Sequence, residues 1–425
     1  MNFFLISLGC PKNLTDSEDF CARLMAKGHK MVFNPQEADT VIVNTCAFLS
    51  SSVKEAEDNI RYAIDLKKKG IVKTVAVTGC MVERLKEKVQ KEFPEADCIF
   101  SVAEQEEIEN IIDRKGSFLK PIQTVLPVTQ YKISLTMPHS AYLKVADGCN
   151  NRCSYCAIPF IRGVYRSKPI EEIVKEAKVM VKSGVKEFSL IAQDTTSYGQ
   201  DLYGQPQLVA LLKELLKIKT LPRMRIMYAY PHRVTKELAL LMASTDRIYH
   251  YLDIPLQHIS ENILKTMNRH SSAAQTKEVL AMLRKTVPDI AIRTNFIVGF
   301  PGETDKDFKE LLNFVKDFKF DNVGVFEYSR EKGTSAWAME NQIPAKIKRE
   351  RSAALNEEQS RVIDEINKNL IGKEIEMISD GGKFGRTYKD APDIDGRVTF
   401  EKSVKAGRIF KAVITGAKGY ERTAR

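Results

Sequence analysis

Three cysteines stand within eight residues in the middle of the chain, in the stretch DGCNNRCSYCAIP: Cys149, Cys153 and Cys156. Thiolates in this CxxxCxxC spacing can bind one metal centre from a single loop. A tetrahedral zinc site wants a fourth ligand, and none follows closely, since the next histidine is His232. An iron–sulfur cluster can use three thiolates and leave one iron open to a substrate. Three more cysteines, Cys10, Cys46 and Cys80, are spaced 36 and 34 residues apart. Each comes one or two residues after a short β-branched or aromatic run: 3–8, 40–44 and 74–78. In a parallel sheet the carboxyl ends of the strands share one edge, where ligands bind, so the three thiols can converge there. One buried thiol at a strand end is ordinary; three in equivalent places point to a metal site. Leu8-Gly9-Cys10 loosely resembles a lipoprotein cleavage site, but only Met1 and Asn2 precede the apolar run and neither is basic. Cys21, among Phe20, Leu24 and Met25, and Cys98, opening a short strand, read as packing residues.

The elements around these residues alternate. Thr15-Asp-Ser-Glu18 forms a capping box that predicts a helix after the first strand, and Ser52-Val-Lys-Glu55 predicts another after the second. Strand–helix–strand at this spacing predicts right-handed crossovers and a parallel α/β domain over 1–120. Residues 139–345 repeat the unit with candidate strands at 142–146, 187–192, 225–230, 251–256, 291–298 and 322–328. Six units are too few for a closed eightfold barrel and fit an open (β/α)6 partial TIM barrel. The stretch 119–140, with Pro121, Pro127 and Pro138, reads as a linker. Residues 346–371 form a charged connecting helix, and 372–425 carry short strands with turn signals, which predict a small β-barrel.

Composition narrows the class. At 425 residues, 43% hydrophobic and 28% charged, the chain is an ordinary globular one of two or three domains. No stretch approaches the apolar length of a membrane span. Eight cysteines in so long a chain do not make a disulfide scaffold. The net charge of +10 is uneven: 18 basic against 19 acidic residues over 1–138, 15 against 8 over 139–233, and 13 against 10 over 362–425. The basic middle suits RNA or an acidic protein assembly without choosing between them.

CxxxCxxC at the start of a partial barrel resembles the radical S-adenosylmethionine (SAM) superfamily, in which the open iron of a 4Fe–4S cluster chelates SAM. Tyr155 matches the aromatic position that packs near the adenine. The stretch NFIVGFPGET, with Gly299, Pro301, Gly302 and Glu303, resembles the later motif that supports it. The upstream trio, the radical SAM core and a terminal barrel resembling the TRAM module together resemble the methylthiotransferase family. The tRNA-modifying branch reads more like GCQMN at the first cysteine. This chain has LGCPKN, NTCAF, AYLKVADGC, LIAQDTTSYG, DIPLQH and GRTYKDAPDIDG, which resemble the branch that modifies an aspartate of the twelfth small-subunit ribosomal protein. It departs from that branch in its ending, KGYERTAR, and at Asn150 and Asn151.

The resemblance implies a cytoplasmic enzyme that makes 3-methylthioaspartate with SAM and two 4Fe–4S clusters. Cys149, Cys153 and Cys156 would hold one cluster, and Cys10, Cys46 and Cys80 the other. Its partners would be the ribosomal protein, free or in the small subunit, a sulfur donor, and an electron donor such as flavodoxin or ferredoxin. Gln193 and Asp194, at the end of the second barrel strand, are candidates to touch SAM or substrate. His258 holds a similar place after the fourth strand and reads equally as a structural histidine. Asp390, Asp393 and Asp395 form an acidic turn suited to docking a basic protein. The alternatives are a tRNA adenosine methylthiotransferase and a non-catalytic zinc-binding scaffold or RNA-binding protein.

Overall fold

The computed structural model describes all residues except 123–125, 127–132 and 222; Pro127 of the expected linker lies outside the described residues. The chain forms two compact units. The first comprises 1–135, 144–150 and 156–176, the second 136–143, 151–155 and 177–425.

The first unit is built on strands β1 (Asn2–Ser7), β2 (Lys30–Val32), β3 (Thr40–Thr45), β4 (Thr74–Gly79), β5 (Cys98–Phe100) and β6 (Gly116–Phe118). They form one parallel sheet in the order β2-β1-β3-β4-β5-β6. Strands β3 and β4 are buried at every position, as a sheet covered on both faces by crossover helices requires. Val41, Val43, Val75 and Val77 pack on Ala56, Ile60 and Ala63 of helix Ser50–Lys68. Ile42 and Ala76 face the other way, onto Phe20 and Leu24 of helix Pro11–Ala26. Cys21 and Cys98 lie in that second layer, and burial pushes the Cys98 thiol up to about 11.

Both helix starts differ from the capping-box expectation. The first helix begins at Pro11, with Cys10 in the N-cap position; proline's fixed φ suits the first helical turn. Thr15 Oγ instead donates to the Lys12 carbonyl at 2.8 Å, and Glu18 accepts from the Leu135 N–H at 3.0 Å. The second helix starts at Ser50, two residues before the expected cap.

The second sheet runs in simple chain order: β7 (Ser140–Lys144), β8 (Glu187–Ile191), β9 (Arg223–Ile226), β10 (Ile248–Asp253), β11 (Ala291–Val298) and β12 (Asn322–Glu327). Pairs from β8 to β12 are parallel. Six strands in sequential order make the open partial barrel. Strands β9 and β10 stop short of their expected ends; beyond β9 Tyr228 takes a φ of 60°, which leaves the extended region, while beyond β10 Gln257, with a φ of 74°, still bridges in parallel to Phe296.

Helix Ala345–Lys368 leads to a closed barrel of β13 (Glu374–Thr387), β14 (Arg397–Val404), β15 (Ile409–Lys418) and β16 (Glu421–Ala424), ordered β13-β14-β16-β15. The short β16, absent from the sequence reading, closes it by pairing parallel to β14 and antiparallel to β15. The helix is held at both ends. Arg351 donates to the carbonyl and the carboxylate of Glu303, at 3.1 and 2.8 Å, and Asn367 donates to the Gly419 carbonyl at 2.6 Å.

Asp390 and Asp395 of the acidic turn are not available for docking. Asp390 is fully buried, paired with Arg422 at 2.8 Å and accepting from Thr387. Asp395 accepts from the Tyr251 hydroxyl at 2.7 Å, from Arg293 at 3.1 Å and from the Ala391 N–H at 3.0 Å. Only Asp393 is exposed. Nearby, Glu187 accepts from Arg225 at 3.1 Å and Arg386 at 2.8 Å, while His139 meets Asp380 at 3.1 Å. His139, Glu187 and Asn322 stand at the amino ends of their strands, so the terminal barrel clamps that end of the sheet. The carboxylates of Asp390 and Asp395 are spent on arginines and a tyrosine far away in sequence.

Candidate active site

The first unit gathers Cys10, Cys46 and Cys80 at the carboxyl ends of β1, β3 and β4, which are neighbours in the sheet. Two glycines make the approach possible. Gly9 has a φ of 90°, and a Cβ there would stand 2.8 Å from the Cβ and Sγ of Cys46. Gly79 has a φ of 98°, and its Cβ would stand 2.3 Å from Asn44 Oδ1. Cys10 precedes one helix, and Cys80 opens the helix Cys80–Leu85. Helix amino ends favour thiolates. Polar side chains pin the loops: Asn13 donates to the Leu8 carbonyl at 2.7 Å, Thr45 Oγ to the Thr78 carbonyl at 2.6 Å, and Arg84 to the Ala47 carbonyl at 2.7 Å. Cys10 is exposed, while Cys46 and Cys80 are buried. Burial pushes the Cys80 thiol up to about 12, with Arg162 pulling against it at 3.1 Å from the sulfur. Among the described residues no three His, Cys, Asp or Glu side chains are drawn in around a single ion.

The CxxxCxxC loop follows β7. Within the first unit, Cys149 donates its N–H to the Gly163 carbonyl at 3.1 Å, and Asn150 Oδ1 accepts from the Tyr165 N–H at 3.0 Å. Within the second, Cys153 faces Arg269 across 3.7 Å. Arg269 also donates to the Pro255 carbonyl at 2.7 Å and lies 3.9 Å from the centroid of the Tyr230 ring. Ser154 is tied through its N–H to Met267 and its hydroxyl to Thr266. Tyr155 packs on the cluster of Ile263, Met267, Phe300, Tyr328 and Ala336.

The remaining sequence candidates fall on loops after the strand ends. Asp194 caps the turn 195–197, accepting from Ser197 and Thr196, and pairs with Arg233 at 2.8 Å. Asn151 bridges Asp194 and Arg233, at 2.8 and 2.9 Å. Gln193 is half-buried beside it. Glu303, fully buried, accepts from the N–H groups of Gly299 at 2.8 Å and Phe300 at 3.4 Å and from Arg351. It therefore fixes the Gly299–Gly302 turn from within. His258 accepts from the Ser260 N–H through Nδ1 at 3.0 Å, so its proton sits on Nε2, 3.6 Å from Glu303. Arg162, Tyr230, Arg233 and Arg269 escaped the sequence reading; their one signal is a place at or just past the end of a strand, helix or turn.

Comparison with known proteins follows the same division. Residues 143–315 match the Radical SAM superfamily, 2–101 the Uncharacterized protein family UPF0004, and 371–425 the TRAM domain. The chain is 49% identical to ribosomal protein uS12 methylthiotransferase RimO of Elusimicrobium minutum, over 99% of both chains. The chain belongs to the RimO family. RimO proteins of Carboxydothermus hydrogenoformans and Geobacter sulfurreducens are 42% and 41% identical, over 99% and 98% of this chain and 98% and 96% of theirs. Among solved structures, the radical SAM methyltransferase TsrM from Kitasatospora setae, with cobalamin and a 4Fe–4S cluster bound, aligns with a TM-score of 0.58 at 12% identity. That alignment covers 79% of this chain and 76% of that one, and shows a shared fold. Membership in the RimO family makes this a radical SAM enzyme, with SAM and a 4Fe–4S cluster as its cofactors.

Proposed function

We propose that the protein methylthiolates the β-carbon of an aspartate in ribosomal protein uS12, using two 4Fe–4S clusters. The observation that carries this reading is the near full-length relation to uS12 methylthiotransferases, in a chain with two separate cysteine trios. Cys149, Cys153 and Cys156 hold the cluster that binds SAM. Cys10, Cys46 and Cys80 hold the cluster that carries sulfur. The donor chemistry fits: each set supplies three soft thiolates, and at the upstream trio Gly9 lets the chain pass against Cys46 where a Cβ would collide. When bound, these groups would supply one-electron reductive cleavage of SAM, the electron coming from the electron donor, to methionine and a 5′-deoxyadenosyl radical that takes a hydrogen atom from the aspartate β-carbon, together with a methylthio group that takes its place and an acceptor for the electron this releases.

The chain's own residues position and shield. Arg269 sets a fixed cation beside Cys153. Tyr155 offers an aromatic surface. Glu303 holds the Gly299–Pro301–Gly302 turn in shape so that its backbone can face the cofactor. Asp194, with Arg233 and Asn151, stiffens the loop that presents Gln193. On this reading residues 1–120 hold the sulfur-carrying cluster, 139–345 the radical chemistry, 346–371 the connection and 372–425 the TRAM-like barrel. A sulfur donor and a low-potential electron donor such as flavodoxin or ferredoxin complete the system. The described residues contain no helix long and apolar enough to cross a membrane, and a ribosomal substrate puts the enzyme in the cytoplasm.

The test is mass spectrometry of uS12 and tRNA from a strain lacking the gene, joined to anaerobic assay of the purified enzyme on both. Loss of a methylthio group from the uS12 aspartate, restored by the enzyme, is the expected result. A methylthio group missing from tRNA adenosine instead would overturn the reading.

A further inference from the structure

Of two residues flanking the CxxxCxxC motif, one reaches the other trio and the second holds it. Asp147 lies two positions before Cys149, and Arg162 six after Cys156. Both belong to the first unit. The Arg162 side chain, 2% exposed, donates to Cys80 Sγ at 3.1 Å and to Asn13 Oδ1 at 3.0 Å through one terminal nitrogen. Its other terminal nitrogen donates to Asp16 at 2.5 Å and Asp147 at 3.2 Å. Lys144, also buried, pairs with Asp16. Two carboxylates are thus balanced by two cations before the sulfur is counted. A cation so balanced cannot swing away, because leaving would strand Asp16 and Asp147 in a buried site. It remains aimed at the sulfur.

We propose that Arg162 is a positioning residue that sets the reduction potential of the cluster on Cys10, Cys46 and Cys80. This rests on the ligand assignment under Proposed function. The physics is direct: reduction adds negative charge to the cluster, and a hydrogen bond from a fixed cation to a ligand sulfur stabilises that charge. Hydrogen bonds to sulfur and local charge are among the main determinants of such potentials. Arg162 therefore holds the potential up. The alternative role, a purely structural hub that ties helix Ile158–Arg162 to the sheet, predicts no effect on potential.

The test uses the full chain with Cys149, Cys153 and Cys156 replaced by Ala, so that only one cluster is present. It is loaded anaerobically with iron and sulfide and titrated potentiometrically by EPR, with Arg162 intact and as Arg162→Gln. The variant is expected to show about a tenfold lower ratio of reduced to oxidised cluster at a given solution potential, a shift of about 59 mV for a one-electron couple. About four iron atoms bound in both chains with the ratio unmoved overturns the inference alone. If the Arg162-intact chain binds no iron, the ligand assignment falls and takes the inference with it. Should Arg162→Gln fail to assemble, pulsed EPR on the Arg162-intact chain labelled with 15N-arginine decides. A 15N coupling to the reduced cluster, lost in Arg162→Lys, supports the inference, and its absence overturns it.

Discussion

Glu187 is the place to test how the terminal barrel is held. Its side chain is fully buried, with Oε1 accepting from Arg225 and Oε2 from Arg386 and Ser140. Glu187→Gln keeps the shape and removes the charge. Breaking a buried pair by removing one partner costs about 3–5 kcal/mol, because the other charge stays behind. Here the strandings differ. Arg386 keeps Asp380 at 2.9 Å. Among the described residues Arg225 keeps the Tyr388 carbonyl at 2.6 Å and the faces of Tyr249 and Tyr251. The lower end, about 3 kcal/mol, is therefore expected. Hydrogen exchange reads it locally: amides of β13 to β16 should exchange about a hundredfold faster, since each 1.4 kcal/mol is about tenfold. Glu421→Gln is the control. Its partner Arg397 is 60% exposed and Glu421 57%, so the change should stay within about 0.5 kcal/mol. The pH dependence follows in sign. Burial alone would raise the Glu187 carboxyl, but Arg386 and Arg225 overcome it and hold it below the ordinary glutamate range. The clamp is then fully present above that range and weakens as pH falls through the lowered value. Unchanged exchange in Glu187→Gln would refute the reasoning, as would weakening of the wild-type clamp on going from acid to neutral pH.

Other outcomes follow from the site. Anaerobic reconstitution should give about eight iron atoms per chain, and Ala at Cys149, Cys153 and Cys156, or at Cys10, Cys46 and Cys80, should each remove about half; full iron in the second variant would dismiss the upstream cluster. That second variant should still cleave SAM to 5′-deoxyadenosine, measured by chromatography, yet form no methylthio product. Glu303→Gln sets an amide group against the Gly299 and Phe300 N–H groups and weakens the Arg351 contact, so SAM should bind about tenfold or more weakly by calorimetry. Changing Asp390, Asp393 and Asp395 together to Asn should loosen the terminal barrel by exchange, because two of the three are buried in ion pairs; selective loss of uS12 modification in a stable variant would restore the docking idea.

What sequence could reveal was local. The cysteine spacings, the strand preceding each cysteine of the upstream trio and the glycines of the Gly299–Gly302 turn are short-range signals, and the strands around them read correctly. Thr15 and Glu18 misled because a capping box competes with a nearby Pro-initiated start, and Pro11 won. Asp390 and Asp395 misled for a different reason. A run of acidic residues looks solvated until Arg422, Arg293 and Tyr251 are brought to it, and nothing in the run encodes that meeting. Arg269 and Arg162 were invisible in the same way, since each is a single arginine whose meaning lies in one distant sulfur. Strand β16 was missed because four residues carry too little periodicity to be seen without the partners that close the barrel.

Helix Ala345–Lys368 is gripped by Glu303 at Arg351 and by the terminal barrel at Asn367. Sixteen positions separate those grips, about 24 Å of helix and nearly four and a half turns. The helix therefore acts as a ruler with a phase. Inserting one residue between the grips would rotate one against the other by about 100° and swing the barrel off its seat. Inserting seven would nearly restore the phase but lengthen the ruler by about 10 Å, beyond the reach of any side chain in the clamp. Evolution can thus repaint the exposed positions between the grips, Glu357 and Arg361 among them, but it cannot change their number.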